Sequence, residues 1–399
     1  MKTSNDKIPN QRINESTNQR IAKRVEQMTS FIVMDVMEKS AELERAGVDI
    51  VHLEVGEPDF DAPPCVTEAV CKALKDGCTH YTHSLGTYDL REAICANYHE
   101  KYKVVVHPDQ IVVTSGSSPA IFMVCAALIE AGDEVILSDP RYACYPNFIN
   151  FVQGRCVDVP VSEQEGFQYT PELIQAKLSP RTKAIFINSP ANPTGTLLSA
   201  ERMRAISQLG PYILSDEIYH GLVYEGKAHS ILEFTDHAFV INGFSKLFAM
   251  TGLRLGYAIA PKPFMRSLQK IHQNFFISAN AAVQKAGVAA LACAQSDVAR
   301  MVAIYDQRRR YMIQRLRQLG FTILVEPTGA FYVFVNARHL SHDSYALAFD
   351  ILEKAHVGVT PGIDFGPGGE GFLRFSYANS LENIKEGLNR LEKYIQRRS

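Results

Sequence analysis

Short apolar runs alternate with amphipathic stripes along most of this chain. Runs at 111–113, 134–137, 184–187, 238–241 and 255–260, and a further one from Ile213 that ends on Asp216, are rich in Val, Ile and Leu. Turn residues bound each of them, which predicts buried strands. Between them lie helical stripes such as 121–130, where Ile121, Val124, Cys125 and Leu128 share one face. The alternation holds from about residue 65 to 295, the pattern of a mainly parallel sheet with helices on both faces. Ahead of it, a helix is predicted at 31–46, with Phe31, Met34, Met37 and Ala41 on one stripe. Behind it come a long basic helix at 298–319, strands at 322–325 and 331–335, and a helix at 344–355. Ser380 caps a last amphipathic helix carrying Ile384, Leu388, Leu391 and Ile395. The fold class is α/β: a large unit at 60–297 and a smaller α/β unit assembled from 21–59 and 298–399. Residues 1–20 are polar and are expected to be unstructured. No internal repeat is evident.

Composition narrows the function. A chain of 399 residues is long enough for two large cores. Its formal net charge of -2 argues against nucleic-acid and membrane-surface binding. None of its eight cysteines forms a C-x-x-C pair, and Cys125 and Cys293 sit in apolar helical settings. They read as reduced thiols, which together with the lack of a secretory signal suggests a cytoplasmic protein.

Candidate chemistry collects at strand ends. Lys246 lies just past the run at 238–241, in Asn242-Gly-Phe-Ser-Lys246, and Arg254 follows eight residues later. A lysine beside a second cation keeps part of its amine neutral, as covalent carbonyl chemistry requires. The strand at 111–113 leads into Ser115, Gly116, Ser117 and Ser118, with Pro119 placed at the first helical position. Free amides and hydroxyls at such a helix start make a phosphate cradle. Tyr142 follows the strand at 134–137, Asn192 follows that at 184–187, and Asp216 ends a third with Tyr219 three residues on. Each alone suits packing or turn formation. Five polar strand ends in this order are harder to explain that way.

These segments resemble the fold-type I, pyridoxal-phosphate-dependent aminotransferases of class I/II. The resemblance runs from Leu53-Glu-Val-Gly-Glu-Pro-Asp-Phe60 to Phe372-Leu-Arg-Phe-Ser-Tyr-Ala378. It rests most on Ala191-Asn-Pro-Thr-Gly195, Ser215-Asp-Glu-Ile-Tyr219 and the run from Ser245 to Arg254. It implies a large domain with a mainly parallel, seven-stranded sheet, and pyridoxal 5'-phosphate as cofactor. By the same resemblance Lys246 links covalently to the cofactor, and Asp216 pairs with its ring nitrogen. Tyr219 and Asn192 bond its phenolic oxygen, and Tyr142 stacks on the ring. Ser117, Ser118, Ser245 and Arg254 hold the phosphate, and Tyr81 reaches the phosphate of a second subunit, which implies a homodimer. Arg374 takes the substrate α-carboxylate, helped by the backbone at Gly56. The chain departs from the pattern at Gly243, where some members have serine, and at Leu253, where many have tryptophan.

The reaction expected is ping-pong transfer of an amino group from an amino acid to a 2-oxo acid. No second cation stands at a motif position, and Ser118 replaces a lysine found in some aspartate-selective members, so the donor is expected to be neutral. Arg141, beside Tyr142, is expected at a solvent-facing helix start. Three alternatives stay open: an aspartate aminotransferase, a C–S β-lyase on the same scaffold, and a non-enzymatic cofactor-binding regulator. Gly366-Pro-Gly-Gly-Glu-Gly371 matches G-x-G-x-x-G, yet it precedes a predicted strand instead of opening a helix. It reads as a flexible loop delivering Arg374. His80 and His83 lack the carboxylate or cysteine neighbours that a metal site needs, so no metal is expected.

Overall fold

The computed structural model describes residues 21–398. The expected unstructured tail at 1–20 lies outside the described residues. Seven strands build the main sheet: β1 (Ile111–Thr114), β2 (Glu134–Asp139), β3 (Arg155–Pro160), β4 (Thr182–Asn188), β5 (Tyr212–Asp216), β6 (Ala238–Gly243) and β7 (Gly256–Ile259). Their order is β1-β7-β6-β5-β4-β2-β3. Strand β7 runs antiparallel to both of its neighbours, and every other pairing is parallel.

Successive strand residues feed opposite cores. Ile111 and Val113 enter one apolar cluster while Val112 enters the other; Ile136 likewise parts from Val135 and Leu137. That is the two-residue period of a pleated strand with both faces covered, and it explains the unbroken apolar runs. Polar residues are tolerated only where the strands stop. Asn188 pairs in register with Asp216, and Asp216 with Ile241, so these strand ends converge at one rim of the sheet. In open parallel sheets, ligand sites form beyond the carboxyl ends of the strands.

A second sheet carries β8 (Tyr332–Asn336), β9 (Thr360–Pro361) and β10 (Phe372–Ser376) in the order β9-β10-β8, all antiparallel. Arg374 lies in its centre, opposite Phe334 on one side and Thr360 on the other. The N-terminal segment joins this part of the molecule through a parallel pairing of Val51–His52 with Val357–Gly358. Around the sheets pack α1 (Ile32–Arg45), α2 (Ser117–Leu128), α3 (Gln295–Gln318), α4 (Ser344–Ala355) and α5 (Leu381–Arg398). Helix α5 shows the logic of the amphipathic ones: Ile384, Leu388 and Leu391 are fully buried, each contributing about 1.5–3 kcal/mol. At its start the Ser380 hydroxyl accepts from the Asn383 amide at 3.1 Å. Among the described residues no single helix is long and apolar enough to cross a bilayer.

Three expectations are corrected. Helix α2 begins at Ser117, with Gly116 as its N-cap, so Pro119 sits inside the first turn instead of opening it. Gly116 takes φ +95°, a conformation open to glycine, and this lets the chain enter the helix two residues early. No strand forms at 322–325; Thr322 makes a single bridge to Asn336, Leu324 turns its amide to Glu163, and Pro327 follows. The glycine-rich segment at 366–371 is no loose loop. Its Gly368 amide donates to Asp139 at 2.9 Å, and Gly369 packs so closely on Gly362 that neither has room for a Cβ.

Candidate active site

A cavity of about 400 Å³ opens at the rim where β4, β5 and β6 end. Gly56, Ser117, Ser118, Tyr142, Asn192, Asp216, Tyr219, Ser245, Lys246, Arg254 and Arg374 all line it. Of the residues given roles by resemblance, only Tyr81 does not. It is 85 % exposed and lies outside this chain's own cavity.

Lys246 follows β6 in a tight turn, and its Nζ donates to the Gly56 carbonyl at 2.6 Å. Burial lowers its pKa from 10.5 to about 8; the Arg374 and Arg254 charges push the same way, against Glu57 and Asp216. Asp216 ends β5. Its Oδ2 accepts from the Tyr145 hydroxyl at 2.7 Å and its Oδ1 from the Ile218 amide at 3.1 Å. Burial raises its pKa to about 6, with those two bonds and Lys246 resisting the rise. A carboxylate buried but held by two donors is poised to meet a further cationic N–H. The Tyr145 ring stacks on Phe186 with centroids 4.0 Å apart, which fixes the hydroxyl that orients Asp216.

Arg374 is 2 % exposed and held from several sides. Its Nη1 donates to Asn192 Oδ1 at 2.9 Å, and its Nη2 to the Glu54 carbonyl at 2.6 Å and the Thr360 hydroxyl at 3.0 Å. Its guanidinium lies 4.3 Å over the Tyr332 ring. The Nε is buried and has no partner among the described residues. The guanidinium lines the cavity and its hydrogen bonds go only to neutral groups, so its charge suits an anionic guest. Tyr219 exchanges a hydrogen bond with the Tyr332 hydroxyl at 2.8 Å. At the other wall, Arg254 presses against the start of α2: a Cβ on Gly116 would stand 2.5 Å from its Nη2. Two serines of the first turn of α2, Ser245 and this guanidinium thus surround a space suited to a phosphate.

Sequence reasoning missed Tyr145 and Tyr332. Tyr145 lies three residues beyond Tyr142, and a one-turn spacing from a site residue was the signal available. Tyr332 reaches the site only because β8 packs beside β10, which no local pattern reveals. Arg141 is corrected. Its side chain is 11 % exposed, sits in a loop instead of at a helix start, and has Nη1 3.2 Å from Asp158 Oδ1. It does not line the cavity. His83 spends its Nδ1 on the Leu85 amide, and among the described residues no cluster of three or more metal-ligating side chains occurs.

The family model "Aminotransferase class I and II" matches residues 48–391. The chain belongs to this family. It is 41 % identical to a (5-formylfuran-3-yl)methyl phosphate transaminase of Methanocaldococcus jannaschii, over 94 % of this chain and all of that one. It is 36 % identical to an aspartate aminotransferase of Pyrococcus horikoshii, over 94 % of this chain and 97 % of the relative. Among solved structures, the aspartate aminotransferase of Thermus thermophilus with maleate superposes with a TM-score of 0.90 at 36 % identity, covering 94 % and 99 % of the two chains. A Methanococcus jannaschii crystal structure, described as similar in its active site to kynurenine aminotransferases, gives 0.88 at 41 % identity, with coverage of 94 % and 100 %.

The aminotransferase therefore works with pyridoxal 5'-phosphate, and the residues present fit that group. Arg254, packed on Gly116 beside Ser117, Ser118 and Ser245, lines one cavity with Arg374 and with a lysine whose amine is partly neutral near pH 8. When bound, the cofactor supplies an electron-withdrawing ring that accepts the electron pair of the donor's Cα–H bond. The amine has a consequence that can be read directly. Below pH 8 most of Nζ is protonated and unreactive; above it the neutral form dominates. In cofactor-free protein, acylation of Lys246 should be half-maximal near pH 8, against 10.5 for an ordinary lysine, measured by peptide mapping across a pH series.

Proposed function

We propose that this aminotransferase takes a neutral amino acid with an apolar side chain as donor and a 2-oxo acid such as 2-oxoglutarate or pyruvate as acceptor. One observation carries the reading. The cavity that holds Lys246 and Arg374 is also lined by Phe31, Met34, Met37 and Ile121, and its remaining cation, Arg254, packs on Gly116 at the start of α2. A distal carboxylate held against this apolar wall would lose water without gaining a partner, at a cost of several kcal/mol. Arg141, the sequence candidate for a second cation, is turned to Asp158.

In this reading Arg374 orients the donor through its α-carboxylate, with Asn192 and Thr360 fixing the guanidinium plane. Lys246 Nζ, as its neutral amine, would take the donor's α-proton, the electron pair passing to the bound cofactor. Asp216 keeps the ring nitrogen protonated, and Tyr219 with Asn192 bonds the phenolic oxygen. Ser117, Ser118, Ser245 and Arg254 hold the phosphate, while Tyr142 covers the ring. The enzyme acts as a homodimer, in which the exposed Tyr81 serves the phosphate of a second copy.

Aspartate is the competing donor, because the Pyrococcus and Thermus relatives are named for it. A panel of twenty amino acids against 2-oxoglutarate and pyruvate separates the two. Leucine-, methionine- or phenylalanine-like donors should lead in kcat/KM. Aspartate leading by more than about tenfold, which is about 1.4 kcal/mol of preference, would overturn the neutral-donor reading.

A further inference from the structure

Helix α1 supplies the apolar wall, and Ser30 reaches across its start to Asp35, yet no side chain of its own bonds its first two amides. Phe31 stands at the N-cap and contributes no side-chain bond to the helix. The first amides of a helix have no partner within it and need one from elsewhere. Here the partner comes from 332 residues away. Asp364 Oδ1 accepts from the Ile32 amide at 2.8 Å, and Asp364 Oδ2 from the Val33 amide at 3.3 Å. The carboxylate is 8 % exposed and faces the positive end of the helix dipole.

Its position ties this cap to the substrate anchor. Asp364 lies in the short turn Gly362–Phe365, which leads out of β9 and toward β10. Strand β9 contributes Thr360 to Arg374, and β10 contributes Arg374 itself. The next residue, Phe365, places its ring 5.0 Å from the Arg374 guanidinium. The turn is itself pinned, with the Ile363 amide on the Ser344 hydroxyl at 3.1 Å and the Phe365 carbonyl accepting from the Arg141 amide at 2.9 Å. On the other side of the contact, Phe31 meets Tyr142 edge-on at 5.9 Å. One turn therefore fixes both the group that holds the α-carboxylate and the helix that meets the side chain.

We infer that Asp364 is a positioning residue for donor side-chain recognition: by capping α1 from outside, it sets Phe31, Met34 and Met37 at a fixed distance from Arg374. The inference rests on the reading of a neutral, apolar donor. Removing the cap leaves Arg374 and its own partners in place but frees the wall. Ligands that touch only Arg374 should not be weakened, because the Asp364 charge is one that Arg374 feels and its loss favours an anion there; ligands that also touch the wall should be.

The test uses two competitive carboxylates on the holoenzyme. Acetate can engage Arg374 but is too short for the wall; 3-phenylpropionate reaches it. In Asp364→Asn, which loses the charge and one acceptor oxygen, 3-phenylpropionate should bind about tenfold more weakly relative to acetate, and acetate itself should not be weakened by more than about twofold. Ile32→Pro removes one of the two amides without touching the carboxylate, at a helix position where proline is tolerated. It should change the ratio in the same direction by a smaller factor. Equal weakening of both ligands would place the effect on Arg374 and overturn the inference, as would an unchanged ratio in both variants. If Asp364→Asn does not fold, the ratio in Ile32→Pro decides alone. The outcome is independent of the donor panel: a preference for aspartate would sink the donor reading, while the ligand pair would still report whether Asp364 seats the helix.

Discussion

Lys246→Ala should abolish turnover, with a fall of at least about 10⁴-fold, because in the proposed mechanism one side chain supplies both the covalent attachment and the proton transfer. Its surroundings explain why another lysine cannot substitute. The side chain is half-buried, close to two arginines and bonded to the Gly56 carbonyl, and its pKa of about 8 leaves a useful neutral fraction at physiological pH. The variant should still bind pyridoxal 5'-phosphate, since the proposed phosphate cradle at Ser117, Ser118, Ser245 and Arg254 does not involve the amine. Borohydride should fix no cofactor to it, whereas in the wild type the label should map to the peptide containing Lys246.

Asp216→Ala should cost about 10²–10³-fold in kcat, and far more than Asn192→Ala. The difference is electrostatic. Asp216 is a buried carboxylate already oriented by Tyr145 and Ile218, so its removal deletes a charged partner and leaves the Tyr145 hydroxyl unpaired. Breaking a buried charged pair typically costs about 3–5 kcal/mol, whereas a neutral hydrogen bond is worth about 1 kcal/mol. Asn192 carries no charge, and it also steadies the carboxylate anchor, because its Oδ1 accepts from Arg374. Asn192→Ala should therefore raise the donor KM by about tenfold with a smaller change in kcat. Steady-state kinetics on both variants, with one donor and one acceptor, separates these effects. Equal losses of kcat would mean that Asp216 does not face the ring nitrogen.

The sheet was legible because burial on both faces forces continuous apolar runs, and these survive as a local pattern. Asp216, which closes an apolar run, and Asn192 and Lys246, which lie in the turns just beyond two others, were legible for the same reason: polar residues stand out where such a run stops. Long-range assembly left weaker marks. Thr322–Val325 has strand-like residues, but its neighbour Pro327 and its contact with Glu163 decide otherwise. Arg141 is charged and follows a proline, which suggests solvent; Asp158 and the turn at Phe365 bury it, and both are distant in sequence. Phe31, Met34 and Met37 form a stripe that reads as ordinary core, yet they face the cavity, and Met34 remains 46 % exposed. Tyr145 and Tyr332 orient the site through Asp216 and Tyr219, and a residue that acts through another carries no motif of its own.

The half-reaction is the most direct test of an amino group moving from the donor to the cofactor with Lys246 as the base. The holoenzyme is mixed with a good neutral donor, with no oxo acid present, and the cofactor is released with acid. One equivalent of the matching 2-oxo acid and one of pyridoxamine 5'-phosphate are expected per Lys246-bearing site, restored to pyridoxal 5'-phosphate by added 2-oxoglutarate. Catalytic release of ammonia and pyruvate from cystathionine, with the cofactor left as the aldehyde, would contradict transamination.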